Sequence, residues 1–509
     1  MGNRDTAAAW EYHDGTKHSV ASVRRSTHQL DGAIMPLPFK VYPHLAPIPL
    51  PRNLAPTKTF ALAATADAGD AVGEGRALDL ATLAHLFHFT AGLLRRRSYA
   101  RHDVFFRAQA CTGNLHHIDL YLVCGALPDL DAGVYHFSPH DFALRQLRSG
   151  DFRAAVAAAS GAGPAVAVAP AIVAATSTFW RNAWKYQART YRHCFWDDGT
   201  LLANLLAVAA ALDVPAHLVL GFVDDELNRL LDLDTEREVT LSLVALGRGA
   251  SSPRPSPPLA PLGLHTVPLS EREVDYPAIR AAHAASSLGS AEDVTAWRAV
   301  PFVSAPPAIP EVVVPLPPPL TGSAESIESV IARRGSTREF SHDAIGLETL
   351  ATLLRTITRG LSADFVAPGT ALGELYLIVN AVDGLAPGAY VLDRARATLG
   401  LLRAGDCRRV AGHLDLGQAL AADAAVNVYW LVDLHAVLSS YGNRGYRAAQ
   451  LEAAIGGGKA YLASFALGLG ATGLTFFDDE VIDFFSPHAA GKSVMFLMAI
   501  GHPARRRRR

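Results

Sequence analysis

The sequence holds cations and small residues in spacings that suit a phosphate. Arg334-Gly335-Ser336-Thr337-Arg338 places two guanidinium groups around a hydroxyl, just before a helical pattern that begins at Leu347. Two arginines flanking a serine can grip a phosphate through charge-assisted hydrogen bonds. Gly491-Lys492-Ser493 adds another cation beside a small residue. Taken alone, neither spacing is specific, because arginines before a helix are more often solvated. Lys185-Tyr186 is a pair of another kind. A lysine whose pKa burial has lowered accepts a proton, and a neighbouring tyrosine donates or relays one. The bland reading is a surface lysine beside a core tyrosine. His116, His117 and His193 lack a second cluster to complete a metal geometry and read as exposed or pocket-lining histidines. Cys111 reads as a small loop residue rather than a redox thiol.

These residues sit in a duplicated chain. Gly133-Val134-Tyr135 returns as Gly388-Ala389-Tyr390, and the run from Leu147 to Arg153 returns from Leu402 to Arg408. Tyr186, Arg189, Tyr191 and Arg192 return as Tyr441, Arg444, Tyr446 and Arg447, always 255 residues later. Asp224-Asp225-Glu226 matches Asp478-Asp479-Glu480, and Gly247 matches Gly501, both 254 residues later. Chance similarity does not hold register over about a hundred residues, so the chain is read as two copies of one unit. The copies differ where chemistry is at stake. Copy two has Ser440-Tyr441 where copy one has Lys185-Tyr186, and copy one has Glu238 opposite Lys492. Where the arginine triplet should fall, copy one has an Ala/Gly/Asp stretch around Ala63 to Val72. Gly456-Gly457-Gly458-Lys459 has part of a phosphate loop's spacing but no Ser or Thr after the lysine, so close helix packing explains it better.

The elements that must position these residues follow from length and pattern. At 509 residues, half of them apolar and 18% charged, the chain can bury two large cores. The expected division is an extended N-terminal arm at 1–52, copy one at 53–249, a Pro-rich linker at 250–321, copy two at 322–503 and an Arg tail at 504–509. Strands are expected at Ile118 to Val123, Glu374 to Val379, Thr240 to Leu246 and Val494 to Ile500. Helices are expected at Leu347 to Leu354, Leu201 to Leu212 and Lys459 to Leu467. The apolar run from Pro164 to Ala175 reads as a buried strand. Strands and helices mix without strict alternation, so the predicted class is α+β. A net charge of -2 argues against a nucleic-acid partner. No apolar run reaches the ~18 residues of a membrane span, and four cysteines without a Cys-x-x-Cys pair fit a cytoplasmic protein.

Arg-x-Ser-x-Arg, a small-residue loop before a strand and Gly-Lys before the last strand together resemble the FMN-dependent nitroreductase family. Copy one adds Ala110-Cys111-Thr112-Gly113-Asn114-Leu115, Gly133-Val134-Tyr135 and Trp184-Lys185-Tyr186-Gln187-Ala188-Arg189. With Tyr12 to His18, these resemble the azoline dehydrogenase branch, which makes thiazoles and oxazoles in ribosomal peptides. The similarity runs over most of residues 10 to 503. It implies two tandem α/β sandwich domains packed as an intramolecular pseudo-dimer, with FMN between them. It assigns Arg334, Ser336, Arg338 and Lys492 to the phosphate. It sets Gly473 near the flavin ring, with Cys111, Thr112, Gly113 and Asn114 opposite. Where the family has Pro-Ser before the loop's small residues, this chain has Ala110-Cys111. Lys185 and Tyr186 are the implied catalytic pair, and the implied partners are a modified peptide substrate and the cyclodehydratase proteins of its pathway. One FMN per chain is expected, because the opposite composite site lacks the triplet and faces Glu238. Its loop, Ala367-Pro368-Gly369-Thr370, is also shorter. Two other functions fit the same residues: an NAD(P)H-dependent nitro or quinone reductase, and a non-catalytic scaffold of a biosynthetic complex.

Overall fold

Runs of β-branched and aromatic residues form two seven-stranded sheets in which every ladder is antiparallel. The computed structural model describes residues 2–67, 75–99, 103–249, 253–300, 302, 307–320 and 325–504. Across the first sheet the order is Pro47–Pro49, Ala143–Ser149, Gly133–Ser138, Ile118–Cys124, Ala171–Thr178, Glu238–Leu246 and Ala216–Val219. The second sheet runs Val313–Pro315, Thr398–Ala404, Gly388–Asp393, Gly373–Val379, Val426–Val432, Ser493–Gly501 and Gly470–Gly473, which repeats that order strand for strand. The fold is α+β, built from two copies of one sandwich.

The copies meet along their longest helices, Thr190–Ala211 and Arg444–Ala466, both buried over most of their length. A Cβ added at Gly199 would lie 2.5 Å from the Ala454 Cβ, and one added at Gly458 would lie 2.5 Å from the Ala203 Cβ. Positions 199 and 454, like 203 and 458, are repeat counterparts. Each residue therefore faces its own counterpart across a pseudo-twofold axis, and one glycine per contact lets the backbones approach. Gly456 and Gly457 are equally crowded, against the Trp430 indole and the Phe496 ring. The glycine run is thus a packing device within a helix.

The repeated charges lock the copies together. Arg192 Nη1 of copy one lies 2.5 Å from Asp478 Oδ1 of copy two, with Arg189 at 3.3 Å from the other oxygen. Reciprocally, Arg444 and Arg447 of copy two bind Asp224 of copy one at 2.6 and 2.7 Å. All four arginines are buried. The guanidinium groups hold both carboxyls well below the ordinary carboxylate range against the opposing effect of burial.

Three segments depart from expectation. The N-terminal arm is helical over Ala7–Gly15 and Val20–Arg25. Ala9, Tyr12 and His13 share one buried face at i, i+3 and i+4, and Ser19 caps the second helix through a reciprocal bond with Ser22. The linker carries helices Pro277–Ala285 and Ala291–Arg298, whose inward Ile279, Val294 and Trp297 anchor them on the core. The run from Pro164 divides into a short helix, Pro164–Val168, and the strand Ala171–Thr178, with Pro at the first helical position. Residues 68–72, part of the stretch set opposite the arginine triplet, and the Arg505 to Arg509 tail lie outside the described residues. No described helix is long and apolar enough to cross a membrane.

Candidate functional site

Copy two contributes the edge strand Gly470–Gly473 and the segment beside it. The Thr337 N–H donates to the Ala471 carbonyl at 2.9 Å, which lays residues 334–338 along that edge. Tyr461, from the central helix, organises the corner: its hydroxyl accepts the Gly473 N–H at 2.7 Å and lies 3.1 Å from the Ser336 hydroxyl. The Arg334 guanidinium sits over the Tyr461 ring, 5.2 Å from its centroid, and donates to the Ala108 carbonyl of copy one at 2.9 Å. Arg338 is exposed. Neither arginine has a carboxylate partner among the described residues.

Copy one contributes a loop held by Asp197 of its central helix. The Asp197 carboxylate accepts the Thr112 N–H at 2.8 Å and the Thr112 hydroxyl at 2.6 Å on one oxygen. The other oxygen receives the Cys111 thiol at 3.0 Å and lies 2.9 Å from His117 Nε2. Burial and then the Asp197 charge push the Cys111 thiol far above its ordinary pKa, so it stays protonated and unreactive. Cys111 bonds the carboxylate rather than a histidine, which excludes a nucleophile–base pair here. Gly113 has φ 64°, a conformation glycine adopts freely. A Cβ there would lie 2.9 Å from the Tyr186 hydroxyl. Asn114 donates to the Phe105 carbonyl at 2.9 Å.

Lys185 and Tyr186 end the helix Phe179–Tyr186, and both are half-buried. Lys185 Nζ lies 5.3 Å from the Tyr186 ring centre. Burial, then Asp197 and Cys111, raise the Tyr186 hydroxyl above its ordinary pKa, while the Arg338 charge opposes the rise. The phenol is therefore a proton donor at neutral pH, within electrostatic reach of Arg338. The chain turns at Gln187 with φ 52° and ψ -140°, a conformation that favours glycine; its counterpart is Gly442. The arm closes over this turn. Trp184 donates its indole N–H to the Asp31 carbonyl at 2.9 Å, and Tyr12 donates to the Ala188 carbonyl at 2.6 Å.

The structure thus gathers Arg334, Ser336, Arg338, Gly473, Cys111, Thr112, Gly113, Asn114, Lys185 and Tyr186 in one region. It does not bring Lys492 there. Lys492 precedes Ser493–Gly501, whereas the arginine segment adjoins the other end, where Ser341 and Ala504 continue the pairing. Nine strand residues separate the ends by roughly 30 Å. Lys492 forms an ion pair with Glu374 at 2.7 Å. Its counterpart Glu238 is likewise paired, with Lys40 of the arm at 2.5 Å. Residues that sequence spacing did not single out are Tyr461 and Asp197. Asp197 recurs as Glu452, which accepts the Leu372 and Gly373 N–H groups of the opposite loop, so the repeat offset could have found it.

The counterpart region is filled. Tyr441 donates its hydroxyl to the Phe365 carbonyl at 2.9 Å. The linker's Trp297 packs on that ring at 5.2 Å between centroids, donates to the Tyr441 carbonyl at 3.0 Å and lies against Gly221. Asn3 of the arm also donates to the Tyr441 carbonyl. A surface cavity of about 280 Å³ lies elsewhere, between Trp180, Glu236, Glu273 and Arg280, where the charges pair with each other and none of the site residues reaches.

The fit to a phosphate-bearing ligand rests on Arg334. Its Nε is buried without a partner, and no carboxylate neutralises the two arginines, among the described residues. Residues 331–502 match the nitroreductase family, so copy two carries a nitroreductase-family domain. A crystal structure of an Anabaena variabilis protein assigned as a nitroreductase matches at 24% identity, covering 98% of this chain and 99% of that one, with a TM-score of 0.77. A Ralstonia eutropha protein assigned as a nitroreductase matches at 18% identity over 42% of this chain and 100% of its own, with a TM-score of 0.30. The Escherichia coli microcin synthetase complex McbBCD, bound to a truncated pro-microcin, matches at 16% identity over 47% of this chain and 85% of its own, with a TM-score of 0.31. No curated protein sequence matches the chain.

Proposed function

We propose that the chain is an FMN-dependent dehydrogenase that oxidises azoline rings of a modified peptide to azoles. The observation that carries this reading is the convergence of an unneutralised arginine segment from copy two with a loop and a Lys-Tyr pair from copy one. Arg334, Ser336 and Arg338 would hold the phosphate, and Gly473 and the Cys111 to Asn114 loop would flank the ring. Bound FMN would supply the two-electron acceptor. Aromatising an azoline removes a hydride and a proton from adjacent ring atoms, so the protein must supply a base. Lys185 takes that proton. Tyr186 stays protonated beside it and donates or relays. Arm residues from Tyr12 to Asp31 cover the turn that carries the pair and limit water there.

Lys185→Ala tests this reading. The variant should keep its flavin absorbance and lose about 10²–10⁴-fold in turnover of an azoline peptide, the usual contribution of a positioned base. Turnover at the parental rate would remove the base assignment. A nicotinamide-dependent reductase would instead need NAD(P)H and no general base. Oxidation of NAD(P)H by nitro or quinone substrates, unchanged in Lys185→Ala, would favour that alternative.

A further inference from the structure

Copy one carries an element that copy two lacks. Between the helix Leu80–Ala91 and the strand Ile118–Cys124, the chain makes a two-stranded hairpin from Leu93–Ser98 and Asp103–Arg107. In copy two, the span between Leu347–Ile357 and Gly373–Val379 contains no strand. The register slips between Leu93 and Arg95, and such a bulge re-aims the side chains that follow it. Arg95, Arg96 and Arg97 are all exposed, yet their surroundings differ. Arg96 pairs with Asp103 at 2.6 Å. Arg95 and Arg97 both lie over the Phe106 ring, at 5.4 and 5.6 Å. Arg95 reaches the other copy: a Cβ on Gly335, inside the arginine segment, would lie 4.0 Å from the Arg95 Nη2.

From this geometry we infer that Arg95 is a third phosphate ligand, so that the flavin phosphate is held by cations from both copies. Arg95 and Arg334 lie within electrostatic reach of each other, and neither has a carboxylate partner among the described residues. Two guanidinium groups this close without a counter-ion among the described residues repel each other, and a dianion placed between them turns that repulsion into attraction. A phosphate monoester carries nearly two negative charges at neutral pH. The hairpin is therefore the part of copy one that completes the anion site of copy two. The inference rests on the flavin reading above.

The test compares FMN with riboflavin, which lacks only the phosphate, on the flavin-stripped full chain by quenching of flavin fluorescence. Wild type should prefer FMN. Arg95→Ala should weaken FMN by about tenfold or more, the scale of one lost charge-assisted hydrogen bond, and leave riboflavin unchanged. Arg95→Lys should recover part of the preference, and Arg97→Ala, on the same ring, should keep all of it. An Arg95→Ala protein with wild-type preference, or one that weakens both ligands equally, overturns the role. A wild-type protein that binds neither flavin overturns the flavin reading itself.

Discussion

One duplicated unit has produced two unlike regions. In the first, the copy-two arginines face a copy-one loop whose glycine touches Tyr186, and the arginines have no acidic partner among the described residues. In the second, Tyr441 occupies the counterpart position, and its polar groups are consumed by the protein. Its hydroxyl binds Phe365, and its carbonyl receives Trp297 and Asn3. A buried lysine there, Lys459, is pushed down to about 8 by burial and donates to the Gly360 carbonyl. Its copy-one counterpart, Asn204, bonds the Phe89 and Ala108 carbonyls with a neutral amide. Duplication thus keeps the scaffold while one composite site retains unneutralised cations and the other is packed and internally bonded.

The largest expected effect tests that asymmetry. Heat-released flavin should number one FMN per chain, and the double variant Arg334→Ala with Arg338→Ala should be colourless, because no second site holds the cofactor. Two flavins per chain, or residual colour in the double variant, would break the comparison.

A smaller effect should show in stability. Asp224→Asn and Asp478→Asn each leave two buried arginines without their carboxylate, at a cost of about 3–5 kcal/mol as for other buried pairs. Each folded carboxyl is held below its unfolded value, so its contribution is full above the unfolded pKa and is lost as pH falls through the folded one. Denaturant midpoints of wild type should drop below about pH 4, and each Asn variant should flatten that drop. Because the two bridges are counterparts, equal losses would confirm that the pseudo-twofold axis is energetically even. Unequal losses would show that the asymmetry of the sites extends into the interface.

The smallest effect concerns the helix crossing. Gly458→Ala brings a methyl onto the Ala203 Cβ and the Thr200 backbone. It should cost about 1–3 kcal/mol by overpacking, read as a lower denaturant midpoint with flavin content unchanged. No shift in the midpoint would mean that the helices separate without loss.

Much of this was legible in the sequence, for a definite reason. Covalent order preserves the repeat offset, and strand and helix positions follow it: Gly133–Ser138 and Gly388–Asp393 begin 255 residues apart, as do Ala171–Thr178 and Val426–Val432. The arginine segment, the loop and the Lys-Tyr pair were visible because each is local. The arm and linker helices were less so. Their anchors, such as Tyr12 and Trp297, bond partners 176 and 144 residues away.

By itself the sequence determined the duplication, the α+β class and the candidate groups, since local patterning and register need no third dimension. Tertiary structure alone decided which groups meet. Lys492 lies next to a small residue like a phosphate cation, but it sits at the far end of its strand and is paired with Glu374. Arg95 lies about 240 residues before the arginine segment, and only the hairpin's bulge and the packing of the two copies set it beside Gly335. Charge has no reach along the chain. It acts through space, and over such separations in sequence only the fold fixes the distance.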